Sequence, residues 1–321
     1  MDGALYGPDG FYRHQQPASH FRTSITASTV FAEAVAQLAR RVDESLHHPD
    51  RFDIVDVGAG DGRLLTQVLA HLAPDLQARS SAAAVDLRPR PPSLPQVIDW
   101  GPEPPLSITG LVIANEWLDN LGCDVVQVDG GQVRQVLVDP GTGDERLGDP
   151  VTAAQRSWLA DWWPQLSEGD RGEVGLRRDE AWGDVVKRLT AGVALAVDYG
   201  HQIDERASFN GGTLAGYRHG RQVQPLPDGT CDITAHVAMD ACAAAGREAG
   251  ADSTTMLRQR DALDALGLQR SAPPRELAHQ DPVAYVRGLS RVGDVAELRD
   301  AGSFGSFWWL LQTKGCALTL T

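Results

Sequence analysis

Cysteine is scarce. Cys123, Cys231, Cys242 and Cys316 lie far apart with no Cys-x-x-Cys pair, which argues against a disulfide framework or a zinc knuckle. Nine histidines include no His-x-x-x-His, and the adjacent His47 and His48 read as a solvated helix end, so no metal is expected. No apolar run approaches the roughly 18 residues of a membrane span. The N-terminus, MDGALYGPDG, has neither the basic flank nor the apolar stretch of a secretion signal. A soluble, cytoplasmic protein without membrane contact is the expectation. Basic charge is in deficit: Lys and Arg total 29 against 43 Asp and Glu, a net charge of −14. No basic stripe is available to neutralise phosphates, which excludes nucleic acid as a partner. An acidic chain remains compatible with a cationic or protein partner. Internal repeats and low-complexity blocks are absent.

Apolar material is ample: 42% of 321 residues are hydrophobic, enough for one large α/β domain with an insertion or for two modest domains. The most informative stretch is Asp56-Val57-Gly58-Ala59-Gly60-Asp61-Gly62. It follows an apolar run, Phe52 to Val57, that reads as a buried strand. It precedes Arg63 to Leu72, where Leu64, Leu65, Val68, Leu69 and Leu72 recur at helical spacing. A strand, a glycine turn and a helix bring backbone N–H groups and a helix N-terminus to a polar ligand. A dinucleotide turn places its third glycine three residues after the second. Here Gly62 comes two after Gly60, and Asp56 lies two before Gly58. That pattern looks like the first motif of class I S-adenosylmethionine (SAM) methyltransferases and counts against a nicotinamide-dependent dehydrogenase. SAM has no phosphate, so its site needs an open turn for the amino acid moiety and a carboxylate for its ammonium. The plainer alternative is a turn that merely joins strand to helix.

Further along, Ser28 to Leu46 places Val30, Phe31, Ala34, Val35, Leu38 and Val42 on one face of an amphipathic helix. Short strands follow at 82–87, 96–100 and 111–114, and Gly192 to Asp198 reads as a fifth. This alternation predicts a Rossmann-like, doubly wound and mostly parallel sheet. Phe304 to Thr313 reads as an antiparallel closing strand. Between them, Val125 to Val138 around Asp129-Gly130-Gly131 predicts a hairpin. Trp158, Leu159, Trp162, Trp163 and Leu166 predict a helix anchored by a tryptophan core rather than a binding platform, and 183–189 reads as a helix covering the sheet. The division expected is an N-terminal aromatic segment and helix over the cofactor mouth (1–50), a SAM-binding domain (51–121 and 191–321) with a loop-rich lid at about 199–250, and an α+β insertion (122–190).

Several blocks together resemble the MidA-like SAM-dependent methyltransferases, which include the mitochondrial complex I assembly factor that methylates an arginine. They are Ala4 to Tyr12, Phe21-Arg22-Thr23-Ser24, the glycine turn, Ala114 to Asp119, Val197 to His201, Gly212-Thr213-Leu214 and Asp232 to Val237. They run in family order over almost the whole chain. The chain departs from the family in a shorter N-terminal lead and in Asn120-Leu121-Gly122-Cys123, where a proline turn is usual. The resemblance implies methyl transfer to a protein side chain, an arginine nitrogen. A small-molecule N- or O-acceptor, and a SAM-binding assembly factor with little catalysis, are the alternatives. A homodimer is left open.

Methyl transfer is an in-line displacement, so the protein chiefly binds and orients. Gly58, Gly60 and Gly62 are expected to line the SAM amino acid moiety, with Asp56 near its ammonium. Asp86 ends the second strand, where an acid can accept from both ribose hydroxyls. Asp99 and Trp100 are the adenine candidates, and Asn115 and Glu116 end the fourth strand at the switch point of the sheet. Glu116 and Asp119 could clamp a guanidinium, or merely cap the next helix. Tyr199, His201, Asp232 and Thr234 are expected in the acceptor wall. His236 is a candidate base, although a structural hydrogen-bonding role is commoner for such a residue. Phe11, Tyr12 and Phe21 either close over SAM or pack the N-terminal segment down.

Overall fold

A computed structural model of the protein describes residues 1–14, 29–269 and 271–320. Contacts divide the chain into two units. One comprises Met1–Arg22, Glu116–Lys187 and Asp198–Gly250, and the other Thr23–Asn115, Arg188–Val197 and Ala251–Thr321. The Phe21-Arg22-Thr23-Ser24 block, Phe21 included, and Ser28 lie outside the described residues.

The second unit holds the large sheet. Its strands are β1 (Phe52–Val57), β2 (Ser80–Val85), β3 (Ile98–Gly101), β4 (Ile108–Asn115), β5 (Leu189–Asp198), β6 (Ser253–Arg258) and β7 (Trp308–Lys314). They lie in the order β6-β7-β5-β4-β1-β2-β3. β1 runs parallel to β2 and β4, β2 to β3, and β4 to β5, whereas β6 and β7 are antiparallel. This is the doubly wound sheet expected, with its antiparallel closing pair. The strand order reverses between β1 and β4, the switch point at which such sheets bind ligands.

All six residues of β1 are buried, as in a strand covered on both faces. The helix Thr29–Ser45 buries Val30, Phe31, Ala34, Val35, Leu38 and Val42, the face anticipated from the spacing. Phe31 meets Trp309 of β7 edge-on, with ring centroids 5.9 Å apart. Edge strand β6 is not legible in the sequence. Its residues, Ser-Thr-Thr-Met-Leu-Arg, are partly exposed, so no apolar run or strict alternation marks it.

The first unit carries a four-stranded antiparallel sheet built from Asp124–Asp129, Gln132–Val138, Glu145–Pro150 and Arg171–Val174. Gly130 (φ 58°) and Gly131 (φ 73°) make its first turn. Both have positive φ, as a two-residue hairpin turn requires. The helix Ala153–Trp162 opens with a Thr152–Gln155 capping box. Trp158, Leu159 and Trp163 pack with Val126, Val151 and Val174, so the tryptophans do form a core. Residues 199–250 contain more regular structure than their glycine-rich sequence suggests: a sheet of Ala215–Arg218, Arg221–Val223 and Asp232–Thr234, and the helix Met239–Glu248. Strands of three or four residues are too short to leave a periodic signal. Leu5 and Phe11 from the N-terminal segment pack against Cys231 and Ile233.

Candidate active site

The glycine turn leaves the carboxyl end of β1 and is knitted to β2. Gly58 and Ala59 N–H donate to Val85 O at 2.9 and 3.0 Å, and Gly62 N–H to Ala59 O at 2.8 Å. Gly58, Gly60 and Gly62 have φ of 74°, 66° and 74°, which side chains with a Cβ adopt only under strain. Two carboxylates within β1 differ sharply. Asp53 is satisfied, accepting from Arg51 Nε (2.9 Å) and from Thr109 N–H (3.0 Å). Asp56 Oδ2 is buried with no hydrogen-bond partner among the described residues. Burial, with Asp86 and Asp61 nearby, pushes its carboxyl up to about 7. A buried acceptor with no partner among the described residues, next to the glycine turn, suits a cationic group such as the ammonium of SAM.

Asp86 follows β2 and reaches the turn: Gly60 N–H donates to its Oδ2 at 2.9 Å. The structure thus brings Asp86 together with the glycines. It also brings Arg88, which the sequence did not flag. Arg88 N–H and Nε donate to Asp86 Oδ1 at 2.9 and 3.0 Å, and Nη2 to Oδ2 at 3.0 Å. Trp100 Nε1 donates to Arg88 O at 2.9 Å. Asp99 lies on β3 opposite Ala83 and is exposed, and Asn115 is buried at the end of β4.

In the other unit the residues after Asn115 form a tight turn. Glu116 has φ 49°, an uncommon conformation for a residue with a side chain. Asn120 Nδ2 donates to Glu116 O at 2.8 Å. Asp198 Oδ2 accepts from Leu118 and Asp119 N–H at 3.0 and 3.2 Å, and Asp198 Oδ1 from Tyr199 N–H at 3.0 Å. Asp198 is therefore the organiser of the turn.

Around this turn lies a nest of buried acids. Asp119 Oδ2 accepts from Thr234 Oγ1 at 2.9 Å and from the Tyr199 hydroxyl. Its Oδ1 is buried and has no partner among the described residues. Burial raises the Asp119 pKa against the opposing hydrogen bonds from Tyr199 and Thr234 and the charge of Arg178. Burial and the neighbouring Asp119 hold Asp198 well above the usual carboxylate range. Buried Arg178 gives its donors to the backbone oxygens of Leu121, Ala235, His236 and Asp119, at 2.9 to 3.1 Å, with no carboxylate acceptor among the described residues. Nothing in the run Leu176-Arg177-Arg178-Asp179 distinguishes that arginine from a solvated one.

Asp232 presents a proton-counting problem. Tyr12 is hydrogen-bonded to Asp232 Oδ1, at 2.9 Å, and to Asn120 Oδ1. The bond from Asn120 Nδ2 to Glu116 O fixes which way that amide points. One phenolic hydrogen faces two acceptors, so both contacts are satisfied only when Asp232 carries a proton. Burial and the nearby Asp119 push the Asp232 carboxyl up to about 7.

Burial favours the uncharged form of His201 and His236. His201 is buried against Trp163 and Phe209, and its Nδ1 accepts from Arg206 Nε at 3.1 Å. Burial, with the charge of Arg206, lowers its pKa to about 3. His236 packs edge-on to Tyr199 and Phe209. Its Nδ1 has no partner among the described residues, and burial, with Arg178, lowers its pKa. Among the described residues no cluster of three or more metal-ligating side chains occurs, and no helix is long and apolar enough to cross a membrane.

The strand order, with a glycine turn after the central β1, defines the class I methyltransferase fold. Residues 30–257 match the family described as "Putative S-adenosyl-L-methionine-dependent methyltransferase". The chain belongs to that family, the MidA-like group of SAM-dependent methyltransferases. It is similar to a solved protein from Burkholderia thailandensis crystallised with S-adenosyl-homocysteine: 25% identity, TM-score 0.81, covering 100% of this chain and 88% of that one. A native crystal structure of a protein of the same superfamily and organism has 24% identity and TM-score 0.79, covering 100% of this chain and 87% of that one. No curated protein matches the chain.

Proposed function

We propose that this methyltransferase modifies a protein side chain, an arginine nitrogen, and that Glu116 is the carboxylate that receives it. The backbone of Glu116 carries the proposal. Its φ of 49° is a strained state that persists only where surroundings over-determine it, as at functional sites. Asn120 and Asp198 supply that constraint through the hydrogen bonds around the turn. A guanidinium offers a planar fork of donors that two carboxylates can meet. Glu116 and Asp119, whose Oδ1 has no partner among the described residues, would provide the two acceptors, with Tyr199 and Thr234 holding Asp119 in place. The proton leaving the nitrogen would pass to Glu116 or to His236 Nδ1, which burial keeps neutral. Asp232 and His201 would complete the wall through Tyr12 and the aromatic cluster.

Gly58, Gly60 and Gly62 would receive the amino acid moiety of SAM, Asp56 its ammonium, Asp86 its ribose, and Asn115 and Asp99 its remaining polar edges. The bound S-adenosyl-homocysteine of the similar Burkholderia thailandensis protein supports this reading. When bound, SAM supplies the activated methyl group on its sulfonium.

The test is Glu116→Gln. S-adenosylhomocysteine affinity should stay within about twofold, while labelled-methyl transfer to arginine-containing proteins falls by about 10²–10⁴, the range of acid–base contributions. Parallel loss of both would make Glu116 a cofactor or folding residue. Label appearing only in small molecules would remove the protein acceptor.

A further inference from the structure

We propose that the Arg88 guanidinium is a displaceable stand-in for the ribose diol of the cofactor, holding both oxygens of Asp86 until a vicinal diol takes its place. This rests on the assignment of Asp86 to the ribose. Among the described residues Asp86 accepts four hydrogen bonds, of two kinds. Two come from backbone amides, Gly60 N–H (2.9 Å to Oδ2) and Arg88 N–H (2.9 Å to Oδ1). These orient the carboxylate and need not change. The other two come from the side chain of Arg88, Nε to Oδ1 and Nη2 to Oδ2, both at 3.0 Å. One donor to each oxygen is what a pair of adjacent hydroxyls also presents, so guanidinium and diol compete for the same acceptors.

The base of the side chain is fixed, while its tip is held on the two oxygens of Asp86. Trp100 Nε1 holds Arg88 O at 2.9 Å. Arg90 pins the following loop, donating to Ile98 O at 2.6 Å and to Pro95 O at 2.8 Å. Displacement therefore asks for rotation about side-chain bonds, with no movement of the loop. The tip also overlies the glycine turn: a Cβ added at Gly60 would lie 3.5 Å from Arg88 Nη2. Its departure uncovers the face on which a ligand must rest. Arg88 and Asp86 side chains are 29% and 11% exposed, so solvent can take up the released guanidinium.

There is an electrostatic reason for such a residue. Asp56, Asp61 and Asp86 crowd one turn, and the charges of Asp86 and Asp61 both act on Asp56. Arg63 pairs with Asp61 at 3.1 Å, and Arg88 neutralises Asp86. A cofactor that brings its own cationic ammonium can take over part of that balance as Arg88 leaves. Binding is then weakened by the fraction of time the arginine is closed over the acid.

Calorimetric titration of the full-length protein with S-adenosylhomocysteine tests this without any turnover. Arg88→Ala should bind about tenfold more tightly, equivalent to ~1.4 kcal/mol. Arg88→Lys, whose single ammonium cannot bridge both oxygens as a fork, should fall between the two. Without added nucleoside, the alanine variant should melt at a lower temperature, because Asp86 has lost its partner. In an Asp86→Ala background, which itself binds weakly, removing Arg88 should change nothing further. Unchanged or weaker binding in both Arg88 variants overturns the proposal. Full affinity in Asp86→Ala would instead overturn the ribose assignment on which it rests.

Discussion

Tyr12 has one hydrogen to offer Asn120 and Asp232, and that shortage makes the protonation of a single carboxyl a structural matter. The folded Asp232 has a pKa raised to about 7 from an ordinary 3.8. The folded state therefore binds this proton more tightly than the unfolded chain does. Its favourable contribution is complete below the unfolded value and is lost as pH rises through about 7. Asp56, raised to about 7 by burial, acts in the same direction. Thermal stability is expected to fall as pH rises from about 4 to about 7 and to level off above that. Asp232→Asn, which carries amide hydrogens at every pH, should show a shallower fall. An unchanged slope in that variant would place the titration elsewhere. Around Glu116, local geometry and chemistry coincide in a similar way, because a strained backbone presents one of the two carboxylates proposed to meet the guanidinium.

At the level of elements, β7 and the helix Thr29–Ser45 show how an apolar pattern becomes a core. Trp309 is fully buried, stacks edge-on to Phe31, and donates from Nε1 to Gln259 Oε1 at 3.2 Å. Gln259 is also fully buried and passes the network on, donating to Leu298 O at 3.0 Å. Trp309→Ala should cost about 3–5 kcal/mol from the cavity, and more because a buried acceptor loses its donor. Chemical denaturation followed by circular dichroism measures this, and a loss below about 1 kcal/mol would contradict the packing described. The run Phe307-Trp308-Trp309-Leu310-Leu311 announces this strand in the sequence. Its partner β6 does not announce itself, since a half-exposed edge strand needs only backbone pairing and tolerates Ser and Thr.

For the molecule as a whole, the net charge of −14 sets a long-range preference. If the acceptor is a cationic arginine segment, its encounter with the enzyme is accelerated at low salt. kcat/KM for an arginine-rich peptide should drop as ionic strength rises from about 0.01 to 0.15 M, over which the Debye length shrinks from roughly 30 to 8 Å. A flat salt profile would favour a neutral acceptor. This test reads the acceptor and leaves the cofactor assignment untouched.

The parallel strands and the glycine turn were determined locally, and so were readable. Phe52–Val57 is apolar because a central parallel strand is covered on both faces. Gly58, Gly60 and Gly62 are needed because their backbone has positive φ. Strand-end acids such as Asp86 follow from those boundaries alone. What the tertiary structure decided is which charges face one another. Arg88 lies two residues from Asp86, yet only the fold of that loop turns its fork onto the carboxylate. Arg178 and Asp198 come from segments 80 residues apart or less from Leu118 and Asp119 in sequence, and their roles depend on burial that no spacing encodes. Hydrophobic periodicity is repeated along the chain and can be read from it. A polar network is made of single contacts between distant residues, and it exists only once the chain has folded.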